Sequence, residues 1–296
     1  MVTFTPGSTF RRTNGGGGPA LVLRRLSANR TALTGAVLVV VMVVLAVGGP
    51  LLVPIDPLAM ITEDRLQAPG AAHWFGTDNY GRDLLARVVH GAATSLGTAF
   101  SIAVLTSVLG LAVGLYAGYH KAVDAVVMRI ADGLMAFPAI LLAIAIMAAL
   151  GPRTENVVAA LTVVFVPYVA RVVRSSVLAV KEQTFVEALR AQGASSSRII
   201  WLNIAPNVLS PLIVQATFIF ADSIITEAAL SFLGAGIPPP APSWGNILLD
   251  GKIVIYTSWW MTVFPGIAIL LTVLGVNLLG DGLRDLLDPH STRAAK

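Results

Sequence analysis

Two carboxylates lie inside or beside long apolar stretches, Asp222 and Glu227, and they are the residues best placed to do chemistry. A charged side chain at mid-bilayer costs about 2.5–3.5 kcal/mol on insertion scales, so it must face water, a solute or another helix. The chemistry open to such a pair is contact with a polar solute, gating, a proton relay, or a hydrogen bond between helices. No catalytic constellation accompanies them. His73, His90, His120 and His290 are scattered and form no H-x-x-x-H pair, which argues against a metal site. Cysteine is absent, which removes thiol catalysis, disulfides and thiolate metal ligands. The Gly15–Gly18 run is followed by Pro19 and no lysine, so it is not a nucleotide-binding loop. The chain is expected to hold no cofactor and to be no enzyme.

The second feature is the segment 184–206, TFVEALRAQGASSSRIIWLNIAP, which is polar, basic and set between two apolar runs. Thr184 and Glu187 have the T-x-x-E spacing of a capping box, and Gly193 suits the position just past a helix. That predicts a helix over 185–192. Ser195–Ser197 offer a second start, and Pro206 falls where that helix would enter a bilayer. An eight-residue helix is marginal in water, and Phe185, Val186 and Leu189 give it apolar surface. Lipid headgroups, the rest of the chain or a partner must cover that surface.

These residues need spans to hold them. The chain has 296 residues, 55% hydrophobic and 12% charged, far below the roughly quarter-charged soluble average. A span needs about 20 mostly apolar residues, and six candidates emerge, within 31–55, 88–120, 133–152, 156–170 running past Arg171, 206–234 and 253–280. With the N-terminus inside, only Arg65, Arg82, Arg87, Arg153 and Lys252 of the 20 Lys and Arg fall outside. The positive-inside rule therefore predicts both termini in the cytoplasm. The expected architecture is an all-α polytopic membrane protein of six transmembrane helices, N-in and C-in.

Along the chain, 1–30 reads as a disordered cytoplasmic tail, 31–55 as an N-terminal anchor helix, 56–87 as an external loop, 88–285 as the membrane core and 286–296 as a cytoplasmic tail. Gly110, Gly114 and Gly118 recur every four residues, a pattern that brings helix backbones together. Pro138, Pro167, Pro211 and Pro265 interrupt spans and kink them. Asp78 in the external loop suits local turn and helix capping. PPPAPSWGN at 238–246 reads as a rigid external turn with Trp244 at the membrane interface. The net charge of +4 comes from membrane-flanking positions without an aromatic basic patch, so nucleic acid is not an expected partner.

The order Glu187, Ala188, Gly193, Pro206 resembles the cytoplasmic EAA loop of ABC-importer permeases and departs from its pattern at Leu189, Asn203 and Ala205. HWFGTDNYGRDLLARVVHGAATSL (73–96), DAVVMRIADGLMAFPAILLAIA (124–145), EAALSFLGAGIPPPAPSWGNIL (227–248) and NLLGDGLRDLLDP (277–289) are similar to the C-type permease subunit of dipeptide, oligopeptide and nickel ABC importers. The resemblance covers about residues 30–289. It implies a type I importer fold in a bacterial or archaeal cytoplasmic membrane. It also implies a second related permease forming a heterodimer, two ATP-binding subunits or one fused pair that bind ATP and Mg, and an extracytoplasmic solute-binding lipoprotein. Cargo would be dipeptides or oligopeptides, with nickel complexes or another small solute as the alternative. The implied coupling residues are Glu187, Ala188, Leu189, Arg190, Gly193, Arg198 and Pro206. Binding-protein contact would fall on Asp78, Arg82, Asp83 and Trp244, and the translocation path on Asp222 and Glu227. A proton-coupled carrier would use those last two as a relay and would leave the 184–206 loop without a role.

Overall fold

A computed structural model of the protein describes residues 29–287, so the expected tails at 1–30 and 286–296, with the Gly15–Gly18 run, lie outside the described residues apart from their inner ends. The described residues form helices α1 (Arg30–Leu52), α2 (Leu84–Tyr119), α3 (Lys121–Met135), α4 (Ala139–Leu150), α5 (Thr154–Val180), α6 (Thr184–Ala191), α7 (Ser196–Phe232), α8 (Trp244–Lys252) and α9 (Trp260–Leu287). Five of them, α1, α2, α5, α7 and α9, are each long and apolar enough to cross a membrane.

The expected third span, 133–152, is not one helix. Α bend of 95° separates α3 from α4, because Pro138 disfavours helical backbone at Phe137 and cannot donate to the turn before it. At 1.5 Å per residue α4 alone is about 18 Å long, too short to cross. The packing of α2 on α5 nevertheless requires a crossing here. A Cβ added at Gly110, Gly114 or Gly118 would lie 2.6 Å from the Cβ of Val169, Val173 or Val177 respectively. The two numbers rise together, so α2 and α5 run parallel, and residues 120–153 must return from one face of the membrane to the other. Α bent pair does this, giving six crossings.

Asn29 Nδ2 lies 3.5 Å from Asp285 Oδ2, which sets the start of α1 beside the end of α9 and brings both ends of the described chain to one side. Along the same seam Gly35 faces the backbone of Gly275 and Leu279, and Gly282 faces Ala32. The N-terminal helix is thus packed by small residues against the last one, as lipid requires when no hydrophobic drive separates helix from tail.

Two other boundaries differ from expectation. The fourth span runs past Arg171 as expected but continues beyond Arg174 to Val180, because Arg171 Nη2 donates to Asp132 at 2.7 Å and Arg174 pairs with Asp124, so both cations are satisfied from α3. The sixth begins at Trp260, not at 253. Residues 253–259 form a turn after α8, and the Trp260 indole N–H donates to the Thr77 carbonyl at 3.0 Å, fixing where the helix starts.

The seam predicts its own sensitivity. Gly114→Ala puts a methyl against Val173 and the Ala170 carbonyl, and is expected to lower the thermal stability of the purified chain by about 1–3 kcal/mol. Gly97→Ala on the same helix meets no atom within 4 Å and should leave stability level or slightly raised.

Candidate functional site

The segment after α5 folds back beneath the bundle as α6. Its N-cap is Gln183 with no side-chain hydrogen bond, so the expected capping box of Thr184 and Glu187 does not form. The helix instead is held by packing: Val186 is fully buried, with Leu189 and Ala194 against the same apolar cluster as Val177, Ile199 and Ile200. The C-terminus matches expectation. Gly193 has φ +76°, its N–H donates to the Arg190 carbonyl, and the Ala194 N–H donates to the Leu189 carbonyl, both at 3.0 Å. That pair of bonds is a Schellman motif, which needs a left-handed residue where glycine pays no Cβ penalty.

Packing Val186 inward turns Glu187, Ala188 and Gly193 outward, and all three are exposed. Nothing in the chain lies within 4 Å of a Cβ placed on Gly193. Arg190 is exposed too, its guanidinium 5.3 Å from the centre of the Tyr119 ring at the end of α2, and Arg198 is exposed beyond it. Lys181 Nζ donates to the Gly118 carbonyl at 2.9 Å, tying the root of the loop to the same helix end. From Ser196 the chain continues without a break into α7, through a π-helical stretch at Ile199–Ile204. Pro206 supplies the cause. It has no N–H for the Leu202 carbonyl and its ring crowds that turn, so the helix widens ahead of it, with the Ala205 N–H reaching back to Ile200. The departures from the family pattern are absorbed here: the Asn203 amide donates to the Arg198 carbonyl at 3.2 Å.

On the opposite side, Asp78, Arg82, Asp83 and Trp244 are all buried, which corrects the expectation of an exposed docking surface built from these side chains and of Trp244 at the membrane interface. Their work is internal. Asp78 Oδ1 accepts from the N–H groups of Tyr80 and Arg82, and Asp83 Oδ1 accepts from the Ala86 N–H as the N-cap of α2. Arg82 Nε donates to Asp78 at 2.6 Å and its Nη2 to Asp250 at 3.1 Å. Arg87 Nε and Nη2 lie 3.5 and 3.6 Å from the same two carboxylates. Two arginines and two aspartates thus clip the external loop, α2 and α8 together. Burial pushes the Asp250 carboxyl above its usual value, and Arg87 and Arg82 oppose that shift. The Trp244 indole donates to the Val88 carbonyl at 3.0 Å in the apolar core. What this face exposes is Trp74, Tyr80 and Tyr256. The pairing of Arg87 with Asp250 was not readable from local pattern, because it joins residues more than 160 positions apart.

The two intramembrane carboxylates have opposite surroundings. Glu227 is fully buried; Ser231 donates to it at 2.8 Å and Ser95 on α2 at 3.2 Å. The same hydroxyls accept from the Ile237 and Trp244 N–H groups, so Glu227 knits α7, α2 and the external turn. It is a helix-to-helix contact rather than a wall of a path, and only the i,i+4 spacing to Ser231 hinted at it. Asp222 is exposed on the outer face of α7.

Residues 107–293 match the family described as binding-protein-dependent transport system inner membrane component, and residues 20–69 match the N-terminal transmembrane domain of oligopeptide transport permease C. The chain belongs to the binding-protein-dependent ABC importer permeases. The permease is 48% identical over 270 residues to a putative peptide transport system permease of Brucella abortus, covering 91% of each chain. It is 44% identical to the dipeptide transport system permease DppC of Alkalihalophilus pseudofirmus, over 90% of this chain and 88% of that one. The di/tripeptide permease DppC of Pseudomonas aeruginosa is 40% identical, over 90% of both. In fold the permease is similar to a chain of the inward-facing MetNI methionine ABC transporter, with a TM-score of 0.58 and 21% identity over 68% of this chain and 96% of that one. The permease is therefore a type I importer subunit; in this family ATP is hydrolysed by separate subunits.

The external clip is testable. Arg82→Met removes the nearer cation from Asp78 and Asp250, leaving them Arg87 alone, and is expected to cost about 3 kcal/mol in thermal unfolding of the purified permease. Arg82→Lys should recover only part of this, because one ammonium cannot fork to both carboxylates.

Proposed function

We propose that this permease moves peptides across a bacterial cytoplasmic membrane as one of two related, heterodimeric permease subunits. Two ATP-binding subunits, or one fused pair, bind ATP and Mg on the cytoplasmic side, and a solute-binding lipoprotein delivers cargo from outside. The names carried by the bacterial relatives, peptide and dipeptide permeases, support peptide as cargo.

The observation that carries the coupling role is the arrangement of α6. Its apolar residue Val186 is sunk in the bundle while Glu187, Ala188, Arg190 and Gly193 point away from it. Α short helix fixed to the bundle on one face and bare on the other suits a socket on a moving subunit. Ala188 and Gly193 let that subunit approach closely; Glu187 pairs with a basic group there, and Arg190 and Arg198 with acidic ones. Closure of the ATPase subunits then moves α6, and the unbroken run from Ser196 through the π-helical stretch and Pro206 passes the motion to α7. The bundle alternates between two access states under this bias. Α proton relay through Asp222 and Glu227 has no support in the geometry, since Glu227 is sealed among serine hydroxyls.

The test is substrate-stimulated ATPase activity of the co-expressed complex in lipid, with the native chain against the double variant Glu187→Ala, Gly193→Asp. Stimulation by peptide-loaded binding protein is expected to fall roughly fivefold or more, the scale of a coupling free energy between distant sites, while assembly persists. Unchanged stimulation in an assembled complex would show that α6 is not the coupling element.

A further inference from the structure

Asp222 is an unusual residue for a helix long and apolar enough to cross a membrane. It stands ten residues, about 15 Å, before the external end of α7 at Phe232. No hydrogen bond or ion pair joins it to another described residue. The cost of a carboxylate in hydrocarbon excludes a lipid-facing position of this depth without compensation. Its helical neighbours at spacings of three and four, Pro211, Gln215, Phe218 and Thr226, share its face, and Gln215 adds a second polar group to the stripe. Toward the cytoplasmic end the same stripe opens on a cavity of about 440 Å³, lined by Pro211, Gln215 and Phe218 together with Ser210 and, from α9, Arg284. The α7 face that turns away from the chain's own core is therefore polar at intervals along its length and continuous with a cavity. Glu227, five residues on, spends its charge inside the fold; Asp222 does not.

Resting on the peptide-import reading above, we propose that Asp222 sets the charge preference of this subunit's wall of the path, attracting the α-ammonium end of the peptide. Α peptide with a free N-terminus carries one positive charge below about pH 7.7, the usual α-amino value. Α fixed anion at a water-lined, low-dielectric wall concentrates such a cation and repels an anionic end, so cargo would be drawn along α7 amine first. The occupant follows from charge complementarity: the position offers an acceptor and no donor.

The chain has no cysteine, so one introduced thiol reports alone in this subunit. In the assembled complex in proteoliposomes, Thr226→Cys, one turn from Asp222, is labelled with a cationic trimethylammonium-ethyl and an anionic sulfonatoethyl methanethiosulfonate, each rate normalised to a free thiol. The cationic reagent is expected to react roughly five- to tenfold faster, and adding Asp222→Asn should remove the preference. In the same complex, with Thr226 restored, Asp222→Asn should slow import of a free-amine peptide by roughly tenfold at saturating loaded binding protein, with Asp222→Glu close to native. Equal labelling by both reagents with Asp222 intact would overturn the proposal. So would loss of assembly in Asp222→Asn, which would make the carboxylate an ion pair with the neighbouring permease. Failure of the native complex to import peptide at all would instead remove the cargo reading, which the labelling experiment does not depend on.

Discussion

The seam between α2 and α5 is the contact on which the remaining architecture depends. Three glycines at spacings of four meet three valines at the same spacing, so the helices approach closely along a parallel stretch of a little over two turns. In water such a stripe would be one packing option among several. In lipid, where tails are as apolar as leucine, close backbone approach is a main source of helix association. Because the pair is parallel, the chain between them must cross the membrane in the reverse sense. The bent α3–α4 pair does so, and its 95° break leaves α3 inclined across α5, where Arg171 and Arg174 find Asp132 and Asp124. One glycine repeat thus fixes the topology within which the Pro138 break and the two ion pairs fall.

Buried charge is handled differently at the two ends of this frame. Outside, Asp78, Arg82, Arg87 and Asp250 neutralise one another across three segments, and Asp78 also accepts the Tyr80 and Arg82 N–H groups of its own turn. Such a cluster is weak evidence for net stability, since desolvation opposes the attraction, but it fixes how the loop, α2 and α8 meet. Inside, the α6 segment exposes its charges and buries only apolar groups. Α clip of matched charges suits a part that must hold its shape, and a bare charged helix suits one that must meet a partner.

Much of this was legible in the sequence. Hydropathy located α1, α2 and the end of α7 within a few residues, the serines 195–197 marked where α7 starts, and the glycine repeat announced a close helix contact. Gly193 was readable because a left-handed helix terminus leaves few residues to choose from. The misses share a cause. The continuation of α5 beyond Arg174 to Val180 and the start of α9 at Trp260 each depend on a partner from another helix or loop, which no local pattern carries, whereas the break at Pro138 was readable as a kink but not as a 95° bend. The capping box at Thr184 failed for the same reason: burial of Val186 sets the orientation of α6, and tertiary packing overrides a cap of about 1 kcal/mol.

Asp222 and Glu227 bring the limit into focus. Read as letters they are equivalent, two carboxylates five residues apart in apolar sequence. At 100° per residue they stand about 140° apart around the helix, on nearly opposite faces. Glu227 falls on the face that meets α2, where Ser95 and Ser231 saturate it and where it becomes part of the scaffold. Asp222 falls on the face the chain leaves uncovered. The two residues could exchange roles only if α7 rotated by more than a third of a turn. The buried Ile219, Ile224 and Leu230 on its inner side prevent that, because rotation would put a carboxylate among them. The core that positions α7 thereby also decides which of its acids is structural and which remains free to act.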